Sequence, residues 1–199
     1  DNVFWHLSFL LVQFLSLILA VVEQRPRRRT GRRQVGSVFG HVALETFDGA
    51  IEIHSWDRNE VEVEIEKRAM EQGLLDQMTV EAQQEDDRIV LRVKGPARRD
   101  SGGLTIGVHI SPTARLRVAV PRSLALQART EDGAIRAENL EGRLVLRTGD
   151  GSVTADRLSG EIEVRTGDGA IRIEKVDGRL DLETEDGSIT VDARPSVLK

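Results

Sequence analysis

Residues 130–192 read TEDGAIRAENLEGRLVLRTGDGSVTADRLSGEIEVRTGDGAIRIEKVDGRLDLETEDGSITVD, and this stretch decides the fold. Thr130, Thr148, Thr166 and Thr184 each open a Thr-x-Asp-Gly tetrad, at a constant step of 18 residues. A second glycine keeps the same phase at Gly142, Gly160 and Gly178. Apolar residues do so too, at Ile135, Val153, Ile171 and Ile189, at Leu140, Leu158 and Val176, at Leu144, Ile162 and Leu180, and at Leu146, Val164 and Leu182. A fixed period of this kind marks a repeat architecture, in which each unit buries its apolar face only by stacking on its neighbours.

Each unit divides into two short strands separated by two glycine corners. The Asp-Gly pairs suit tight turns, because glycine reaches positive φ without steric cost. Leu144, Leu146 and Thr148 share parity, which directs the Thr hydroxyl inward at the edge of the core, where it can hydrogen-bond the adjoining turn. Equivalent positions of successive units then form ladders at the inter-strand spacing of about 4.8 Å. The predicted fold is all-β, a two-sheeted β-solenoid of 18-residue coils with one short helix and an N-terminal transmembrane-type helix. The alternative is an antiparallel β-meander in which the Asp-Gly pairs are hairpin turns. Both bury the same columns. A solenoid places Val153 beside Ile171, whereas a meander puts another strand between them.

The period also stacks charge. Asp132, Asp150, Asp168 and Asp186 fall at one corner, and Glu138, Asp156, Glu174 and Asp192 on one outward face. Like charges directly opposite across strands are unfavourable. Calcium is one way to offset them, through carboxylate oxygen ligands, and Asp150 and Asp168 are the candidates for it. The spacing is not that of the nine-residue calcium β-roll, so the reading adopted is that the corner aspartates cap their own backbone, that Arg136 and Arg172 neutralise the second column, and that no metal or other cofactor is required.

Upstream, LETFDGAIEIHSWDRNEVEVEIEKR alternates apolar and charged residues through Val61, Val63 and Ile65, the period of a half-buried strand. EKRAMEQGLLDQM follows as a short helix, with Met70, Leu74 and Met78 on one face. TVEAQQ and RIVLRVK read as strand and strand, Gly95–Gly103 as a loop, and LTIGVHI and RLRVAVP as further strands. At the N-terminus, Val3–Val22 contains no Asp, Glu, Lys or Arg, and twenty residues suffice to cross a bilayer core of roughly 30 Å. The basic run RPRRRTGRR behind it resembles a stop-transfer flank. The expected organisation is a hydrophobic signal or anchor segment over 1–23, an Arg-rich linker over 24–38, and a β-repeat domain over 39–199 whose regular repeats begin near 130.

TFDGAIEIHSWDRNEVEVEIEKRA, the helix ending LLDQM, VAVP ahead of the array, and RTGDGSVTADRLSGEIEVRTGDGAIRIEKVDG together resemble the bacterial putative-adhesin family of β-strand repeats, over roughly residues 39–194. The resemblance implies a β-solenoid, an envelope or surface setting, membrane-anchored or secreted, and no catalytic residues to carry over. The arginine run after the apolar segment departs from that pattern, as does an array that reaches Lys199 after about three and a half units.

Composition narrows the function classes. With 31% charged, 39% hydrophobic and 4% aromatic residues the chain can fold, around a thin aliphatic core. The absence of Cys excludes disulfides, thiolate metal sites and Cys nucleophiles. Of the total charge of −5, residues 1–33 carry +4 and the remainder −9, so the body repels nucleic acid. His6, His41, His54 and His109 lack ligand spacing, and no nucleophile elbow, phosphate loop or dinucleotide fingerprint occurs. An 18-residue coil leaves little room for a catalytic cleft. The expectation is a non-enzymatic module that meets the membrane through its N-terminal segment and binds a surface ligand or protein. A self-associating scaffold is the rival, since an uncapped last coil exposes a strand edge.

Overall fold

In the computed structural model Val153 pairs directly with Ile171 on one side and Ile135 on the other, in parallel register, as a solenoid requires. The structure describes residues 28–37, 40–97, 111–192 and 197–198. The apolar segment 1–23 and the predicted strand LTIGVHI lie outside the described residues. No helix among the described residues is long and apolar enough to cross a membrane.

The regular array consists of long strands β8 (Ala125–Asp132), β10 (Glu141–Thr148), β12 (Ser159–Thr166) and β14 (Asp177–Thr184), alternating with short strands β9 (Ile135–Glu138), β11 (Val153–Asp156), β13 (Ile171–Glu174) and β15 (Ile189–Asp192). The long strands stack in one sheet and the short ones in another. Leu144, Leu146, Ile162 and Val164 face Val153, Ala155, Ile171 and Ile173 across a core with none of these side chains exposed.

The array does not begin at Thr130. β2 (His41–Asp48) and β3 (Ile51–Trp56) form a coil of the same kind, with Thr46 paired to Thr130 and Ile51 to Ile135. Thr46-Phe47-Asp48-Gly49 is therefore the first tetrad, and the intervening chain is an insertion. That insertion supplies β4 (Glu60–Arg68), α1 (Gln72–Gln77), β5 (Thr79–Glu85), β6 (Arg88–Lys94) and β7 (Thr113–Pro121). β6 and β7 add a further layer in parallel to β2 and β3, and β4 and β5 then close the stack with antiparallel pairing.

The stretch expected as an Arg-rich linker instead enters the sheet as β1 (Arg28–Ser37), antiparallel to β4. Two of its arginines face glutamates: Arg32 lies 3.0 Å from Glu62 and Arg28 3.8 Å from Glu66, while Glu64 meets Arg117 of β7 at 3.4 Å. Opposite charges on adjacent strands stabilise pairing, so a run that reads as solvated in isolation becomes an edge strand. At the other end β16 (Val197–Leu198) pairs with β14. The order is β1-β4-β7-β3-β9-β11-β13-β15 in one sheet and β16-β14-β12-β10-β8-β2-β6-β5 in the other.

The helix is shorter than expected and turns a different face inward. It starts at Gln72, so Met70 precedes it and is 39% exposed, while Leu75 and Met78 pack with Ala69 against Phe47.

The glycines also divide differently from the expectation. Gly142, Gly160 and Gly178 have φ between 113° and 127°, whereas of the glycines that close the Thr-x-Asp-Gly tetrads Gly49 alone is positive. Gly151 is needed for space: a Cβ there would sit 2.2 Å from the Gly133 carbonyl oxygen.

Candidate functional site

The threonine corner is built by one hydrogen bond repeated up the ladder. Thr130 Oγ1 donates to the Gly49 carbonyl at 3.1 Å, Thr148 to Gly133 at 2.9 Å and Thr166 to Gly151 at 2.9 Å. Each hydroxyl is buried as the parity of Leu144, Leu146 and Thr148 predicts. It satisfies a carbonyl that the corner turns away from its own sheet. The corner amides are bonded from coil to coil as well, Asp150 N–H to the Glu131 carbonyl at 3.0 Å and Asp168 N–H to Gly149 at 3.1 Å.

Asp150 and Asp168 stand exposed at this corner, and their carboxylates make no hydrogen bond or ion pair among the described residues. The expected self-capping is absent there, because the corner amides are already taken by neighbouring coils. No group of three or more His, Cys, Asp or Glu side chains that could hold a metal ion is formed among the described residues. Asp48, opposite Asp132 in register, has its pKa raised by burial and then by the charges of Asp132 and Glu131.

The second acidic column forms as read. Glu138, Asp156, Glu174 and Asp192 are neighbours on successive short strands. Arg136 lies 3.7 Å from Glu138, and Arg172 Nε donates to Glu174 at 2.6 Å, holding that carboxyl below its ordinary range. Arg157 also contributes, paired with Asp156 and 3.8 Å from Glu138. It was missed because its role depends on a left-handed backbone, φ 54°, which turns it back over the column. His41 opens β2 and His54 lies in β3, on opposite sheets. Burial and then Arg88 lower the pKa of His41.

The feature that sequence reasoning passed over lies on the outward face of the long strands. Arg129, Arg147 and Arg165 occupy one column in register, followed by Glu183 and preceded by Glu45 and Arg92. The same 18-residue step would have shown it, one position before each threonine. Arg147 Nη2 donates to Glu163 at 2.6 Å and Arg165 lies 3.2 Å from both Glu163 and Glu183. Arg147 lowers the pKa of Glu163. Beside this column runs a shallow groove of about 500 Å³, lined by the three arginines and by Glu131, Gly149 and Glu185 among others. Beyond Arg129 it meets a second hollow of about 380 Å³ around Phe47 and Gly95. The surface offers charge and hydrogen bonding across several coils.

No curated protein matches the chain at a significant level. Among solved structures it is similar to a putative cell adhesion protein of Clostridium sporogenes, at 11% identity and a TM-score of 0.49, over 87% of this chain and 100% of that one. It is similar also to a putative lipid binding protein of Parabacteroides distasonis (15% identity, TM-score 0.31, 85% and 96% of the two chains) and to a putative adhesin of Bacteroides fragilis (8%, 0.29, 86% and 96%). These likenesses are too distant to carry function. The repeated coil and its match over residues 30–198 place the chain in the Toastrack family, DUF4097.

Proposed function

We propose that this chain is a non-catalytic binding module of the bacterial cell envelope, which presents a rigid β-ladder to a surface ligand. The observation that carries this reading is the groove along Arg129, Arg147 and Arg165, to which side chains of four successive long strands contribute. Rigid strands hold such a surface at little conformational cost on binding. The apolar segment Val3–Val22 supports attachment to a membrane, with the ladder beyond it. The corner aspartates, Asp150 and Asp168, serve the acidic surface in this reading, so chelation of divalent ions should leave the melting temperature unchanged, and a fall would overturn it.

The test is to offer the full chain, in neutral detergent, to immobilised envelope polysaccharides, envelope proteins and lipid vesicles. Saturable binding to a member of one class is expected, and saturable binding to none would overturn the reading. The rival, a self-associating scaffold, is favoured by Ile189, 43% exposed on β15, which has no strand beyond it among the described residues. A concentration series in sedimentation separates the two, since a scaffold grows and a binding module keeps one size.

A further inference from the structure

We infer that Arg129 and Arg147 form a clamp for the carboxylate of an acidic glycan lying along the ladder, an inference that rests on the binding role proposed above and names its ligand. The two guanidinium groups come from directly paired positions of β8 and β10, strands about 4.8 Å apart. Like charges so placed are unfavourable unless an anion lies between or beside them. The chain supplies that anion to Arg147 and Arg165, whereas Glu45, in register beside Arg129 on β2, is held by Arg92 at 2.6 Å. Glu163 neutralises Arg147 and Arg165, and Glu183 assists Arg165. In the same column as Glu163, the preceding coils carry Val145 and Gln127.

Arg129 is consequently exposed and without an acidic partner among the described residues. Arg147 uses Nη2 for Glu163, and its side chain stays 39% exposed to the groove. Guanidinium forks match carboxylates in geometry and in charge. A carboxylate seated at Arg129 and shared with Arg147 supplies the bonded anion that Arg129 lacks while Glu45 is engaged by Arg92.

The groove also indicates what bears the carboxylate. No aliphatic or aromatic side chain lines its stretch from Arg129 to Glu185, so it offers no pocket for the apolar side chains of a peptide. It crosses strands already paired on both sides, so no free sheet edge is open to a peptide backbone. Glu131 and Glu185 line it without ion-pair partners among the described residues. They accept hydrogen bonds from hydroxyl groups, which a polyacidic peptide such as polyglutamate lacks. A uronate-type sugar chain presents both the carboxylate for the arginines and the hydroxyls for the glutamates.

The test is calorimetric titration of the full chain with oligogalacturonate, in low salt with a chelator present. Methyl-esterified oligogalacturonate and polyglutamate are the comparison probes. Oligogalacturonate is expected to bind and the ester and the peptide are not. The exposed Arg129→Gln and the half-buried Arg147→Gln should each weaken binding by at least about tenfold, the effect of losing a charge-assisted hydrogen bond. Glu163→Gln frees Arg147 and should tighten binding severalfold. Affinity unchanged in Arg129→Gln, or equal binding of the ester, would overturn the clamp, and polyglutamate binding with the same arginine dependence would overturn the glycan. If envelope polysaccharide still binds while oligogalacturonate does not, the clamp alone falls. Binding of no envelope component removes both readings.

Discussion

The two ends of the ladder carry the same repeat and meet different fates. Toward the N-terminus the Ile135 position, 1% exposed, is covered by β3, then β7, β4 and β1. At the other end the equivalent Ile189 is 43% exposed, and Leu182 and Val191 are only partly buried. A column in the sequence thus fixes which side of a strand a residue takes, while its place in the stack fixes how much area leaves water. The N-terminal end is also closed by chemistry the repeat does not contain, antiparallel strands with Arg and Glu alternating across β1, β4 and β7.

The largest test of this contrast is steric. Gly160 holds φ 113°, and a Cβ there would lie 2.2 Å from the Gly142 carbonyl oxygen, so Gly160→Ala should cost about 4 kcal/mol. Gly73, in α1 of the closing insertion, has nothing within 4 Å, and Gly73→Ala should stabilise by up to about 1 kcal/mol. Denaturant titration checks both, and equal effects would show that the ladder is not close-stacked.

Core truncation comes next. Leu146→Ala or Val164→Ala, at positions with no exposure, should cost about 2–4 kcal/mol, because neighbouring coils cannot collapse into the void independently. Ile189→Ala, in the same kind of column at the open end, should cost less than about 1 kcal/mol. A large loss at Ile189 would mean that this end is covered in solution.

A smaller effect of opposite sign is expected at the second corner. Asn139, Arg157 and Lys175 hold φ of 52° to 58°, a region that suits Asn better than long side chains. Lys175→Asn should therefore raise stability by about 0.5 kcal/mol, read as a higher melting temperature.

The smallest effects are electrostatic and depend on pH. Glu163 has a folded pKa below its unfolded value, chiefly through its hydrogen bond with Arg147. Its contribution is full above the ordinary glutamate range and is lost as pH falls through the lowered folded value. Glu163→Gln should then cost up to about 0.5 kcal/mol at neutral pH and nothing in strong acid. Asp48, where the first coil meets the regular array, behaves oppositely. Burial raises its pKa, so its ionised form opposes folding at neutral pH and the penalty fades as pH falls through the raised value. Asp48→Asn should stabilise at neutral pH and lose that advantage in acid, measured by melting curves across the range.

The repeat made the parallel coils legible, along with the inward threonines and the acidic column of Glu138, Asp156 and Glu174. All three follow from a period and from strand parity, which are local properties. The arginine column was equally periodic but unread, because alternating charge on an exposed face looks like solvation until the geometry shows that Arg129 makes no ion pair among the described residues, the Glu45 beside it being held by Arg92. The linker reading failed for a related reason, since the partners of Arg28 and Arg32 are glutamates on β4, more than twenty-five residues away in the chain.

The sequence by itself determined the coil, its two sheets and the direction each side chain faces, because an 18-residue period and a two-residue alternation are written in the order of residues. Only the tertiary structure decided the order of the layers: that β2 and β3 stand against β8 and β9, that β6 and β7 slip in behind them, and that β1 closes the sheet. Stacking matches any coil to any other of like shape. The choice among neighbours rests on contacts between residues far apart in the chain, which no local pattern records.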